Sequence, residues 1–88
     1  MPEICRFFGI IITMYSEKNA VHNKPHFHAR YNEFEASIDI EEYTVSGHLP
    51  PKVLGMVIEW AALHKEELLE DWHLLYNHNK PKKIQPLE

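Results

Sequence analysis

Residues 26–30 place two histidines, His26 and His28, two positions apart in a stretch that alternates polar with apolar side chains. This alternation predicts a β-strand, on which residues two apart project from the same face, roughly 6.5–7 Å from each other along the backbone. Two imidazoles at that spacing can hold one metal ion, or they can take up and release protons near neutral pH. His26 and His28 are therefore the first candidates for chemistry.

A second alternating run follows, and the two runs flank Asn32 and Glu33, which predicts a β-hairpin with a two-residue turn. This register places the apolar residues on one face and the histidines on the other. The predicted facing pairs are Tyr31 with Phe34, Ala29 with Ala36, Phe27 with Ile38, Arg30 with Glu35, His28 with Ser37, and His26 with Asp39.

One interpretation of the polar face is a metal site. His26 and His28 would bind the ion, with Asp39 as the third ligand and His22 as a fourth, and zinc suits such nitrogen and oxygen ligands. Two histidines separated by one residue form a weak pattern in a chain with 7 histidines. The simplest interpretation is that both imidazoles line a solvated face and hydrogen-bond to their cross-strand neighbours. Apart from such a metal, we expect no cofactor.

A metal-free alternative uses the same residues as a catalytic site. His26 and His28 would act as acid and base at one phosphodiester, Asp39 would orient His26, and Lys24 and Arg30 would neutralise the phosphate. This arrangement describes a small ribonuclease. The predicted capture of Arg30 by the carboxylate opposite it, and the net charge of −4, argue against it. The residues leave open whether the protein is an enzyme.

The strands on either side of this hairpin follow from composition. Residues 4–15 are rich in β-branched and aromatic side chains on both alternating faces, which predicts one interior strand, with a bulge at Gly9. After the hairpin, a turn at Glu41 and Glu42 leads to a short strand that sets Val45 opposite Ile38.

Apolar residues at helical spacing occupy residues 51–78. A straight helix of that length would measure about 42 Å, whereas a chain of this size has an expected radius of gyration of about 12 Å. We therefore expect a break near His64 and Lys65. The predicted fold is α+β, with about four antiparallel strands in the order β-β-β-β-α-α and one sheet face covered by the two helices. It comprises one domain over residues 1–79 and an extended tail over residues 80–88.

Composition restricts the class of protein. A chain of 88 residues with 44% hydrophobic residues fits one small domain with a thin core, which pairing with another chain would stabilise. The single cysteine rules out a disulfide framework. The longest apolar run, residues 7–12, is far shorter than the ~20 residues of a membrane-spanning helix, and no secretory signal pattern is present. We expect a cytoplasmic protein with no membrane partner.

Several segments, in order, resemble the prokaryotic family known as domain of unknown function 4160. The segments are residues 1–12 (MPEICRFFGIII), 25–31 (PHFHARY), 49–50 (LP), 59–61 (EWA), 64–69 (HKEELL) and 83–87 (KIQPL). The resemblance implies a small prokaryotic protein whose gene lies beside another small gene, as in toxin–antitoxin-like or regulatory pairs, and it implies no defined activity. Asn32 stands where the family tends to have glycine, and asparagine tolerates the positive φ of a tight turn.

Three functions follow from these observations. The leading hypothesis is a protein-interaction component of a toxin–antitoxin-like or regulatory pair, which binds a small cognate protein or a second copy of itself as a homo-oligomer. The second is a histidine-based ribonuclease or metal-dependent hydrolase that uses His26, His28, Arg30 and Asp39. The third is a regulator that binds RNA or DNA through the basic tail around Lys80.

Overall fold

The computed structural model describes residues 3–15 and 24–88. They form an α+β fold in which an antiparallel sheet, with its strands in sequence order, is followed by two helices. The predicted class is confirmed, and the sheet has five strands rather than about four. The elements are β1 (Glu3–Phe7), β2 (Ile10–Thr13), β3 (His26–Tyr31), β4 (Phe34–Asp39), β5 (Val45–His48), α1 (Pro51–Leu63) and α2 (Lys65–Tyr76).

The additional strand arises because the apolar stretch 4–15 is a hairpin and not one interior strand. Phe8 and Gly9 have φ angles of 48° and 79° and form the turn. Two successive positive φ angles characterise the tight turn whose twist matches that of antiparallel strands. The predicted bulge at Gly9 is wrong, and the irregularity in this strand pair lies between Glu3 and Cys5.

The central hairpin, β3–β4, has the predicted register. Tyr31 lies opposite Phe34, and the pairing continues without a shift to His26 and Asp39. Asn32 adopts a φ of 53° in the turn, a conformation that asparagine tolerates better than most residues. The alternation of apolar and polar side chains therefore determined which residues share a face.

The next connection differs in part from the prediction. Val45 lies opposite Ile38 as expected. The predicted two-residue turn is wrong, because β4 ends at residue 39 and β5 begins only at residue 45. The Asp39 carboxylate accepts hydrogen bonds from the backbone N–H groups of Glu41 at 2.7 Å and Glu42 at 2.9 Å. Such a side-chain bond to the backbone favours an irregular turn over continued strand pairing.

The helical region is broken at His64, as its length predicts. His64 has φ −117° and ψ 27°, so α1 ends there and α2 begins at the next residue. The His64 N–H still donates to the Trp60 carbonyl at 3.1 Å, and the Leu68 N–H donates to the His64 carbonyl at 2.9 Å. The radius of gyration is 12.0 Å. Neither helix in the described part of the chain has the length and apolar character needed to cross a membrane.

The core lies between the inner face of the sheet and the helices. Trp60 of α1 is fully buried, and its ring centroid lies 5.6 Å from that of Phe7 and 5.8 Å from that of Phe27. The second helix contributes further buried side chains to the same core, namely Leu68, Trp72 and Leu75.

The segment after α2 has no helix or strand and is bound along the body of the protein. The Ile84 N–H donates to the Ile4 carbonyl at 2.9 Å, and Trp60 Nε1–H donates to the Gln85 carbonyl at 2.8 Å. Ile84 is buried, and Leu87 packs on the core. The extended tail is therefore docked on the core through Ile84 and Leu87.

Candidate functional site

The candidate site lies on the outer face of the sheet, which is the face turned away from Phe27 and the core. Three rings, those of Tyr15, His28 and His26, follow one another there, and the core residue Trp72 of α2 contacts His26. We call these four rings the aromatic row. Successive ring centroids are 4.8 Å, 5.4 Å and 5.2 Å apart. The two predicted candidates, His26 and His28, are thus neighbours in space.

Three different elements position this row. His26 and His28 project from β3, Tyr15 follows the end of β2, and Trp72 comes from α2. The histidines are half-buried, and Trp72 is buried at 7% exposure. Trp72 belongs to the core, and its contact with His26 joins residues far apart in the chain, so the local sequence pattern carries no signal for it.

The protonation pattern of His26 follows from one hydrogen bond. Its Nδ1 lies 2.8 Å from the backbone carbonyl oxygen of Lys24. A carbonyl oxygen can only accept, so Nδ1 carries the hydrogen and donates it. The neutral ring then has its lone pair on Nε2, which is the nitrogen able to take a proton or to bind a metal.

Asp39 lies opposite His26 in the register, as predicted, but its role differs from the predicted one. Its Oδ1 caps the turn after β4, and the Lys24 carbonyl provides the hydrogen bond that orients His26. Within residues 3–15 and 24–88, no three His, Cys, Asp or Glu side chains are placed to hold a metal ion. His22, the suggested fourth ligand, lies outside the described residues. A zinc site of His26, His28 and Asp39 remains a prediction.

Arg30 and Lys24, the two cations of the predicted catalytic site, differ from expectation in their ion pairing. Arg30 and Glu35 are register partners, but Arg30 forms no ion pair with any residue that the structure describes. The expected capture of Arg30 by Glu35 is therefore wrong, and the guanidinium stays exposed beside the histidines. Lys24 pairs instead with Glu42 at 3.3 Å, where both side chains are about two-thirds exposed, so the attraction is weak.

A shallow pocket adjoins the aromatic row on the same face, and we call it the Arg30 pocket. Its volume is about 140 Å³. It shares Tyr15 with the aromatic row. It is lined by Glu3, Arg6, Ile11, Thr13, Tyr15, Arg30 and Glu35. Sequence reasoning missed this pocket because four strands contribute to it, and the sequence had been interpreted as one strand where β1 and β2 form two.

Other titratable groups lie away from this face. Burial raises the pKa of the Cys5 thiol, so Cys5 lacks the thiolate character of a reactive cysteine and packs as a small apolar residue. The basic tail is engaged by the protein itself: Lys82 pairs with Glu70 at 2.8 Å, and Lys83 Nζ donates to the Glu3 carbonyl at 2.7 Å. The Lys82 side chain is 73% exposed in this pair, so the attraction is weak.

Fold and site together define a small α+β protein with a polar, histidine-bearing sheet face. The chain belongs to the family of the domain of unknown function DUF4160, whose sequence pattern matches residues 9–73. That range includes all four residues of the aromatic row and ends one residue after Trp72. No curated protein and no solved structure matches the chain.

Proposed function

We propose that the protein cleaves single-stranded RNA by acid–base catalysis at the aromatic row. The observation that carries this proposal is the pairing of His26 and His28, whose ring centroids lie 5.4 Å apart. Two imidazoles this close can serve the attacking and the leaving oxygen of one phosphodiester. We place this activity in the cytoplasm of a prokaryote.

The hydrogen bond from His26 Nδ1 to the Lys24 carbonyl suits His26 to the role of base. In the proposed step, Nε2 of His26 takes the proton of the ribose 2′-hydroxyl, and the 2′-oxygen forms a bond to phosphorus. The bond from phosphorus to the 5′-oxygen of the next nucleotide breaks, and protonated His28 gives its proton to that oxygen. The products are a 2′,3′-cyclic phosphate and a 5′-hydroxyl, and no metal takes part.

The rings at either end of the row hold the two histidines in place. The Tyr15 ring packs edge-to-face against His28, with the ring centroids 4.8 Å apart. Trp72 packs against His26 and restricts its orientation. Arg30, exposed and two residues beyond His28, supplies positive charge on the same face of an otherwise acidic protein.

The test is cleavage of a mixed-sequence single-stranded RNA by the purified chain. We expect cleavage of RNA and none of the matching DNA, which lacks the 2′-hydroxyl. Replacing His26 or His28 by alanine is expected to lower the rate by about 10²–10⁴-fold. His73→Ala, which removes an exposed histidine of α2, is the matched control and should leave the rate unchanged.

Two results would overturn this proposal. One is wild-type protein that leaves RNA intact, and the other is cleavage that survives the double substitution of His26 and His28. Elemental analysis distinguishes the metal-dependent alternative: stoichiometric zinc that is lost in the double variant, with activity lost on chelation, would assign the histidines to a metal-dependent hydrolase.

A protein partner is the second candidate function, and it would make the chain one component of a toxin–antitoxin-like pair. The observation that favours it is Leu63, which is 68% exposed at the junction of α1 and α2 beside the acidic first turn of α2. An apolar side chain bordered by Glu66 suits a small protein with a basic surface. Light scattering on the chain, alone and co-expressed with the product of the adjacent gene, tests it. A chain that stays monomeric and does not bind that product would contradict the partner hypothesis.

A further inference from the structure

The Arg30 pocket lies across four strands, and its centre follows one row of register partners. Arg6 of β1 faces Ile11 of β2, Ile11 faces Arg30 of β3, and Arg30 faces Glu35 of β4. The half-buried Ile11 therefore lies between two guanidinium groups and forms an apolar floor. A volume of about 140 Å³ is close to that of an engineered cavity of about 150 Å³ that holds one benzene ring. The pocket is therefore large enough to hold an aromatic ring.

The charges around the pocket cancel. Arg6 donates to the Glu3 carboxylate at 2.7 and 3.3 Å, and this pair neutralises itself. Arg30 and Glu35 then remain side by side, one a donor and one an acceptor, with no ion pair between them. A pocket of zero net charge discriminates little in favour of a phosphate. It suits a neutral ring that presents acceptors and donors on adjacent edges.

We propose that the Arg30 pocket binds the guanine base of single-stranded RNA. The guanidinium of Arg30 would donate to O6 and N7 of guanine, which is the most common specific pairing between arginine and a base. The Glu35 carboxylate would accept from N1–H and the N2 amino group on the neighbouring edge. Ile11 would lie beneath the base, and the ring of Tyr15 would border it.

This inference rests on the proposed function and names its substrate class, RNA cut on the 3′ side of guanosine. Arg30 and His28 lie two residues apart on β3, roughly 6.5–7 Å along the strand, and Tyr15 lines the pocket while its ring contacts His28. A base in the pocket therefore brings its own 3′ phosphate towards the two histidines.

The test measures binding of the four nucleoside 3′-monophosphates and of inorganic phosphate, followed by NMR of the full chain. We expect the guanosine nucleotide to bind about tenfold or more tightly than the other three and than phosphate. Equal affinity for the four nucleotides would overturn the inference, as would binding of none of them. Phosphate binding as tight as that of the guanosine nucleotide would show an anion pocket instead.

Two substitutions test the assigned contacts. Glu35→Gln leaves only one acceptor oxygen, and Arg30→Lys removes the planar fork, so each is expected to lower the preference for guanine about tenfold. Glu33→Gln, which removes an exposed carboxylate from the β3–β4 turn, is the matched control and should keep the preference. Preference retained in both Glu35→Gln and Arg30→Lys would overturn the assignment.

The double variant His26→Ala/His28→Ala separates this inference from the proposed function. It should keep the preference for the guanosine nucleotide over the other three while failing to cleave RNA. If the wild-type chain prefers guanine but cuts no RNA, the pocket assignment stands and the proposed catalysis fails. If RNA is cut at all four nucleotides without preference, the catalysis stands and the guanine pocket is wrong.

Discussion

The indole ring of Trp72 packs against the imidazole of His26, with the ring centroids 5.2 Å apart, although the two residues belong to α2 and β3. The indole is buried at 7% exposure, so its position is set by the core. The orientation of His26 is therefore determined from two sides, by the Lys24 carbonyl through a hydrogen bond and by Trp72 through packing.

Removing the Trp72 ring is predicted to disturb His26. In Trp72→Leu, we expect the ring-proton NMR signals of His26 to shift, because the neighbouring aromatic ring is lost. We also expect RNA cleavage to fall about ten- to a hundredfold, since small displacements of a catalytic group are costly. Trp72→Phe keeps an aromatic ring and should retain most of the activity. Unchanged His26 signals in Trp72→Leu would contradict the positioning role.

The tail is predicted to contribute substantially to stability. Ile84 is 5% exposed, and replacing it by alanine should lower the free energy of unfolding by about 2–4 kcal/mol, measured by chemical denaturation. Gln85→Ala is the control. Trp60 binds the main-chain carbonyl of residue 85, which alanine keeps, so the change should stay within about 0.5 kcal/mol. Similar losses in both variants would argue against specific docking of Ile84.

Two glycine substitutions are predicted to change the stability of the protein in opposite directions. Gly47 has a φ of 110°, and a Cβ there would lie 2.5 Å from the Glu35 carbonyl oxygen and 2.8 Å from the Ala36 Cα. Gly47→Ala should therefore destabilise the protein by more than about 1 kcal/mol. Gly55 lies in α1 with nothing within 4 Å of an added Cβ, so Gly55→Ala should stabilise by about 0.5–1 kcal/mol. Thermal unfolding of both variants measures these changes, and equal signs would contradict the structure.

Asp71 is predicted to make stability depend on pH. It is 1% exposed, its Oδ1 accepts from the Lys82 N–H at 2.8 Å, and burial raises its pKa, with the charges of Glu70 and Glu67 adding to the effect. The folded state then holds the proton more tightly than the unfolded chain. This stabilisation is complete below the ordinary pKa of an aspartate and is lost as the pH rises through the raised value.

Asp71→Asn tests this dependence, because asparagine keeps the acceptor for Lys82 and cannot ionise. The free energy of unfolding of the wild type should fall relative to that of Asp71→Asn as the pH rises from acid towards neutral. The measurement is urea denaturation across that range. Parallel curves for the two proteins would show that Asp71 has the same proton affinity in both states.

Short-range patterns accounted for most of the fold. The β3–β4 register and the break at His64 followed from residue spacing and length alone, because a strand repeats every two residues and a helix of 28 positions is too long for a compact chain. The first hairpin was missed for a physical reason. Ile11 is apolar although it lies on the outer face, so residues 4–15 show no alternation of apolar and polar side chains. Without that alternation, the tight turn at Phe8 and Gly9 could not be distinguished from a continuous strand.

Only the part of the candidate site that lies on the β3–β4 hairpin could be predicted from the sequence. His26, His28 and Arg30 project from β3 as expected. Trp72 contacts His26 through tertiary packing, which residue spacing in the sequence does not indicate. Asp39 was assigned to His26 from the register alone, but its short side chain reaches the backbone of its own turn first.

The hydrogen bond between Ile84 and Ile4 forms late in folding. Every strand pairs with its neighbour in sequence, so the sheet needs only local loop closures and should assemble early. The tail joins residues 80 positions apart, as in the contact of Lys83 with Glu3, and such closure costs more entropy. A ribosome-bound chain can therefore complete the antiparallel sheet before residue 84 emerges, while the indole N–H of Trp60 acquires its partner only after residue 85 has been added.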